Sequence, residues 1–104
     1  MKRKLPIPIN RGLKKLGEDI RKARLRRGLK MSVLADRAGV SRETLSKIQQ
    51  GLPGVSIGNY AAVIFGLGLD TKWMNLASIE QDSIGQMMDD ERLPKRARDK
   101  KRGA

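Results

Sequence analysis

The sequence predicts an all-α domain of five helices between a basic arm and a charged tail, on three observations. Leu13, Leu16, Ile20 and Ala23 recur at spacings of three, four and three, the repeat of one helix face. Residues 31–51, MSVLADRAGVSRETLSKIQQG, divide into two short helical segments around a glycine. Tyr60, Ala61, Val63, Ile64 and Phe65 then spread a wide apolar arc over a further helical stretch.

Residues 1–11 have a basic start followed by Pro6 and Pro8. Proline fixes φ and disfavours helix at the residue before it, so an extended arm is expected, Leu5 and Ile7 included. The first helix is expected from Leu13 and ends at Gly28. The second, near 31–38, gathers Leu34, Ala35 and Ala38 on a small face that can pack closely. Gly39 is free to take positive φ just past its end, and Val40 follows as an apolar plug, so the turn is sharp. Ser41 is a good N-cap for the third helix, near 42–50, whose Leu45 and Ile48 face inward while Arg42, Glu43, Ser46 and Lys47 point out. Gly51-Leu52-Pro53-Gly54 is a breaker cluster and must turn. Ser56 or Gly58 caps the fourth helix, which Gly66-Leu67-Gly68 closes. Thr71 to Ala77, with Trp73, Met74 and Leu76, makes a short fifth. Beyond it Ile79, Ile84, Met87, Met88 and Leu93 form a weakly apolar strip among acids, where Gly85 argues against helix. The last segment, LPKRARDKKRGA, is expected to be disordered when free. The organisation expected is therefore an arm over 1–11, a domain over 12–77 and a tail over 78–104.

With 104 residues, 38% of them hydrophobic and one each of Trp, Tyr and Phe, the chain can bury one small aliphatic core, which dimerisation would help to stabilise. The formal net charge of +12 is unevenly spread. Residues 1–15 carry six bases and no acid, 16–30 six bases and two acids, and 31–77 four bases and three acids. Residues 78–91 carry five acids and no base, and 92–104 seven bases and one acid. The two central short helices are thus nearly neutral, and the flanks supply the field that a polyanion would feel. Without cysteine or histidine there is no zinc site, thiol nucleophile or histidine base, and no constellation of carboxylates or lysines suggests catalysis. The expectation is a binding protein with no cofactor. No apolar run approaches the length of a bilayer span, and MKRKLPIPIN lacks the apolar stretch of a signal peptide, which predicts a cytoplasmic protein with no membrane partner.

Residues 29–51 resemble the helix-turn-helix of Xre-type, or Cro/C1-like, regulators, whose usual pattern reads roughly L-T-Q-x-x-L-A-x-x-x-G-V-S-x-x-T-I-S-x-I-E-x-G. Leu29, Leu34, Ala35, Gly39, Val40, Ser41, Thr44, Leu45, Ser46, Ile48 and Gly51 fit in register without a gap. Lys30 and Met31 stand where that family has a cap and a glutamine, and Gln49 replaces the common glutamate. The resemblance implies a five-helix repressor-like fold that binds double-stranded DNA, with Arg42, Glu43, Ser46 and Lys47 at positions that read base edges. Arg42 can bridge O6 and N7 of a guanine, Glu43 can accept from cytosine N4, and Lys47 can take a guanine or a phosphate. The plainer reading of Glu43 and Lys47 is an ion pair one turn apart on a solvated face. Ser41 caps the reading helix and brings its N–H groups towards a phosphate, and Thr44, Ser56 and Asn59 are further phosphate candidates. Lys2, Arg3 and Lys4 are candidate non-specific DNA contacts, Met31 is expected to pack, and Trp73, Met74 and Leu76 join either the core or a dimer contact.

The stretch DSIGQMMDDERLPKRARDKKR is similar to the tail of HipB-like regulators, the antitoxin partners of HipA-type kinases, over Asp82 to about Arg98. That resemblance implies a homodimer on a pseudopalindromic operator in its own promoter, holding a HipA-like kinase toxin inactive; the plainer reading is a solubilising tail. Two reading helices would enter successive major grooves about 34 Å apart. The rivals are a stand-alone phage-like repressor and a basic RNA- or ribosome-binding protein. Scarce aromatics weigh against RNA, because unpaired bases are usually held by stacking.

Overall fold

The computed structural model describes residues 4–92, which form two compact units with the boundary between Thr71 and Lys72. The first unit consists of α1 (Ile7–Arg26), α2 (Met31–Ala38), α3 (Arg42–Gln49) and α4 (Ile57–Gly66). The second has two 3-10 turns, Lys72–Asn75 and Ile79–Gln81, and a helix, α5, over 83–92. No strand occurs among the described residues, so the all-α class and the count of five α-helices agree with expectation.

In the first unit α2 packs on α4, and α1 and α2 each pack on α3. Leu34, Leu45, Ile48 and Val63 are fully buried at the centre, with Ile20, Ala23, Ala35, Tyr60, Ile64 and Leu67 around them. Val40 is only half-buried, and Phe65, which the apolar arc of α4 was expected to include, is 67% exposed.

All four helices of this unit stop in the same way. A glycine with positive φ stands just past each end, at Gly28, Gly39, Gly51 and Gly68. At each, two backbone N–H groups turn back to the last carbonyls, as Gly39 to Asp36 at 3.1 Å and Val40 to Ala35 at 3.0 Å show. That pairing satisfies carbonyls the helix itself leaves open.

The first helix begins six residues before Leu13, so the expected arm over 1–11 is extended only as far as Pro6 among the described residues. The physical reason is the position of the prolines. Pro6 is the N-cap and Pro8 lies in the first turn, where a missing N–H costs nothing because that group has no partner inside the helix. The Pro6 carbonyl accepts from Ile9 and Asn10, at 3.0 and 3.2 Å, and closes the turn. The candidate contacts Lys2 and Arg3 lie outside the described residues; Lys4 is exposed.

The expected fifth helix at Thr71–Ala77 is instead the 3-10 turn Lys72–Asn75. Ser78 N–H closes on the Asn75 carbonyl at 2.9 Å, and the chain restarts there. Trp73 is half-buried, while Met74 and Leu76 are exposed. The α-helix of this unit comes later, over 83–92, despite Gly85. Asp82 caps it by accepting from Gly85 N–H at 2.9 Å through Oδ1, which puts the glycine in the first turn, where its cost is small. The basic end of the tail, 93–104, lies outside the described residues.

Gly17 and Gly51 are the tight points of the first unit. A Cβ on Gly17 would lie within 2.7 Å of the Ile48 and Gln49 carbonyl oxygens, and one on Gly51 would meet the backbone of Leu13 and Lys14. Gly12, on the same helix, faces open space. Gly12→Ala is therefore expected to stabilise the fold by about 0.5–1 kcal/mol through helix propensity. Gly17→Ala should destabilise it by about 1–3 kcal/mol, since here backbone must move. Urea unfolding followed by circular dichroism checks the opposite signs; equal effects would mean that α1 and α3 do not meet at this crossing.

Candidate nucleic-acid interface

The outward face of α3 is built from its inward one. Leu45 and Ile48 are sunk completely, so the residues flanking them on the helix are held at the surface. Arg42, Glu43 and Lys47 are exposed, and Ser46 is half-buried between them. Gln50, the C-cap, is exposed one turn beyond Ser46, and its Nε2 donates to Ser46 Oγ at 3.2 Å. The face is thus Arg42, Glu43, Ser46, Lys47 and Gln50. Sequence reasoning omitted Gln50, although its spacing of four from Ser46 and three from Lys47 was the available signal.

Lys47 Nζ stands 3.7 Å from Glu43 Oε1, with side chains 50% and 82% exposed. A pair this open is worth a few tenths of a kcal/mol and is readily exchanged for another partner. Both side chains are available to a ligand.

At the N-terminus of α3, Ser41 Oγ accepts from Thr44 N–H at 3.0 Å and lies 3.0 Å from Thr44 Oγ1. One hydroxyl hydrogen sits between the two side chains, which leaves the pair one free hydrogen to donate to an anion. Ser56 repeats the cap on α4, accepting from Asn59 N–H at 3.1 Å. Ser56 is exposed and Asn59 half-buried, so Ser41 and Ser56 are both helix N-caps, with Thr44 and Asn59 each three residues into its helix.

Behind this face α3 is tied down by side chains that depart from the resembled pattern. Gln49 Oε1 accepts from Arg24 Nε at 2.8 Å, and Gln49 Nε2 reaches Met31 Sδ at 3.0 Å. Arg24 Nη1 continues to the Leu29 carbonyl at 2.9 Å. Met31 and Gln49, two of the three departures, thus touch each other and, with Arg24, link α1, α2 and α3. Met31 packs, as expected.

The turn after α3 is fixed by Tyr60, whose hydroxyl donates to the Leu52 carbonyl at 2.7 Å. Leu5 lines an open apolar groove with Thr44, Lys47 and the turn from Leu52 to Val55. Trp73, Met74 and Leu76 belong to the second unit. Among the described residues no cluster of acids is arranged to hold a metal, and no helix is long and apolar enough to cross a membrane.

A short helix packed across another, with its polar side outward and a serine cap at its N-terminus, is the shape that enters a major groove. This chain belongs to the helix-turn-helix domain family, whose model matches residues 15–72. It is accordingly a DNA-binding regulator in class. Comparison with curated proteins and with solved structures gave no significant match.

Burial pushes the Tyr60 phenol above its ordinary value of 10.0. The unfolded chain therefore ionises first as pH rises, so stability is intact below about pH 10 and falls above it. Tyr60→Phe is expected to cost about 1 kcal/mol at neutral pH, from the lost hydrogen bond, and to flatten the alkaline loss. Unfolding midpoints between pH 7 and 11 read both effects. An unchanged alkaline slope in the variant would remove Tyr60 as its source.

Proposed function

We propose that the chain is a sequence-specific transcriptional repressor that binds a pseudopalindromic operator as a homodimer. The observation that carries this reading is the outward face of α3: three exposed ionic side chains and two amides or hydroxyls over a fully buried Leu45 and Ile48. Arg42 donates to guanine O6 and N7, and Glu43 accepts from cytosine N4. Lys47 and Ser46 donate to base edges in the same groove, and Gln50 has the bidentate geometry that suits adenine. Ser41, Thr44, Ser56 and Asn59 position the helix on phosphates, and Lys2, Arg3 and Lys4 add sequence-independent attraction. Because the face itself is nearly neutral, affinity comes from the basic flanks and discrimination from α3.

The dimer is supported by geometry, since one α3 reaches only one half-site and a two-fold pair spans two. Trp73, Met74 and Leu76 are the proposed dimer contacts, with Met74 and Leu76 exposed. The likeness of the tail to HipB-like regulators supports a further assignment as autoregulator and antitoxin of a HipA-like kinase, in the cytoplasm.

Footprinting on the DNA upstream of the coding sequence, with competitor DNA present, is expected to protect two half-sites about one helical turn apart. Diffuse protection would reject the operator-specific reading. Arg42→Ala and Lys47→Ala are each expected to cost roughly 1–3 kcal/mol on the preferred site and to relax choice at one defined base pair. An equal loss on every duplex would show that neither residue reads a base. Co-purification of a kinase encoded beside this chain tests the antitoxin assignment, and failure to form the complex rejects it.

A further inference from the structure

We infer that residues 4–14, which precede the matched family domain, form a second duplex-contacting element that grips backbone phosphates beside the reading helix; this rests on the DNA-binding reading above. The family match starts at residue 15, yet α1 starts at Ile7, so about two helical turns stand outside it. They carry Arg11 and Lys14, with Lys4 just ahead, and the first acid in the chain is Glu18. Lys4, Arg11 and Lys14 are exposed, and the ion pairs Lys15–Asp19, Arg21–Glu18 and Lys47–Glu43 on α1 and α3 engage other residues.

Position makes this more than a charge run. Leu5 lines the groove with Thr44 and Lys47 of α3, so the segment that bears Lys4 lies at the edge of the reading face. The backbone of Leu13 and Lys14 lies directly against Gly51, at the end of α3. The segment of Lys4 thus lies along the Thr44 and Lys47 side of α3, and Lys14 lies at the C-terminal end of that helix. Because α1 is joined to α3 by backbone contact at Leu13 and Lys14, the backbone that bears Arg11 and Lys14 keeps a fixed distance from the base-reading helix. Fixed cations beside a reading helix set register on the phosphate backbone, which carries no sequence information of its own. The ligand chemistry is the phosphodiester backbone of a duplex.

The test uses the full chain on two duplexes of equal length, the upstream DNA and a scrambled version, between about 50 and 200 mM salt. Lys4→Gln/Lys14→Gln is compared with Lys15→Gln/Lys22→Gln, which removes as much charge from the side of α1 turned away from Gly17. All four positions are exposed, and circular dichroism confirms that the fold is kept. The first pair is expected to reduce the slope of log K against log salt by about 1.8 and the affinity on the order of tenfold on both duplexes. Preference between the duplexes should stay unchanged, and the control pair should lose markedly less. Equal losses from the two pairs would mean that only net charge matters, and no loss from the first pair would mean no contact; either overturns the inference while leaving the DNA-binding reading in place. If the unaltered chain binds neither duplex, that reading fails and this one with it.

Discussion

The contact between the backbones of α1 and α3 is the constraint on which the outward face depends. Gly17 and Gly51 let Leu13 and Lys14 on one side meet Ile48 to Gly51 on the other without an intervening side chain. Side-chain packing yields by rotamer changes, but backbone against backbone does not, so the crossing fixes both the depth and the axial position of α3. Leu45 and Ile48 then fill the core from a helix already located, and the residues between them have no choice of face. A domain this small has few other ways to hold an eight-residue helix still.

The helix stops reinforce that constraint. Each of the four ends on a left-handed glycine and a pair of reversed hydrogen bonds, so helix length is set locally and not by what happens to pack nearby. At Gly39 the device sets the angle between α2 and α3. At Gly51 it serves twice, because the same glycine that ends α3 is the one α1 lies against.

Much of this was legible in the chain because the signals are local. Ser41 and Ser56 cap where serine before an apolar-periodic run says they should, and Gly39 turns where its place after Ala38 requires. The start of α1 was not legible, because proline both breaks a helix and begins one, and the local pattern around Pro6 and Pro8 fits either role. The link from Arg24 through Gln49 to Met31 was hidden for another reason. Its partners are 25 and 18 residues apart, and only the assembled fold brings them together. In the second unit Trp73, Met74 and Leu76 have helical spacing, yet four residues close as a 3-10 turn, and Asp82, by capping the next helix, places Gly85 where it costs little. The outward face of α3 was readable except for Gln50, and which of its members touch DNA is a property of a complex that a single chain's pattern does not encode.

The seat of α3 is electrically quiet. Gln49 is a neutral amide, its partners are one guanidinium and a thioether, and the ion pairs Lys15–Asp19, Arg21–Glu18 and Lys47–Glu43 on α1 and α3 lie at the surface. Counterions that crowd around the exposed bases therefore have little purchase on the joints that hold the reader in shape. The ionic milieu of the cell can set how much of the protein is on DNA while leaving its reading surface unaltered, so attachment and recognition respond to different variables.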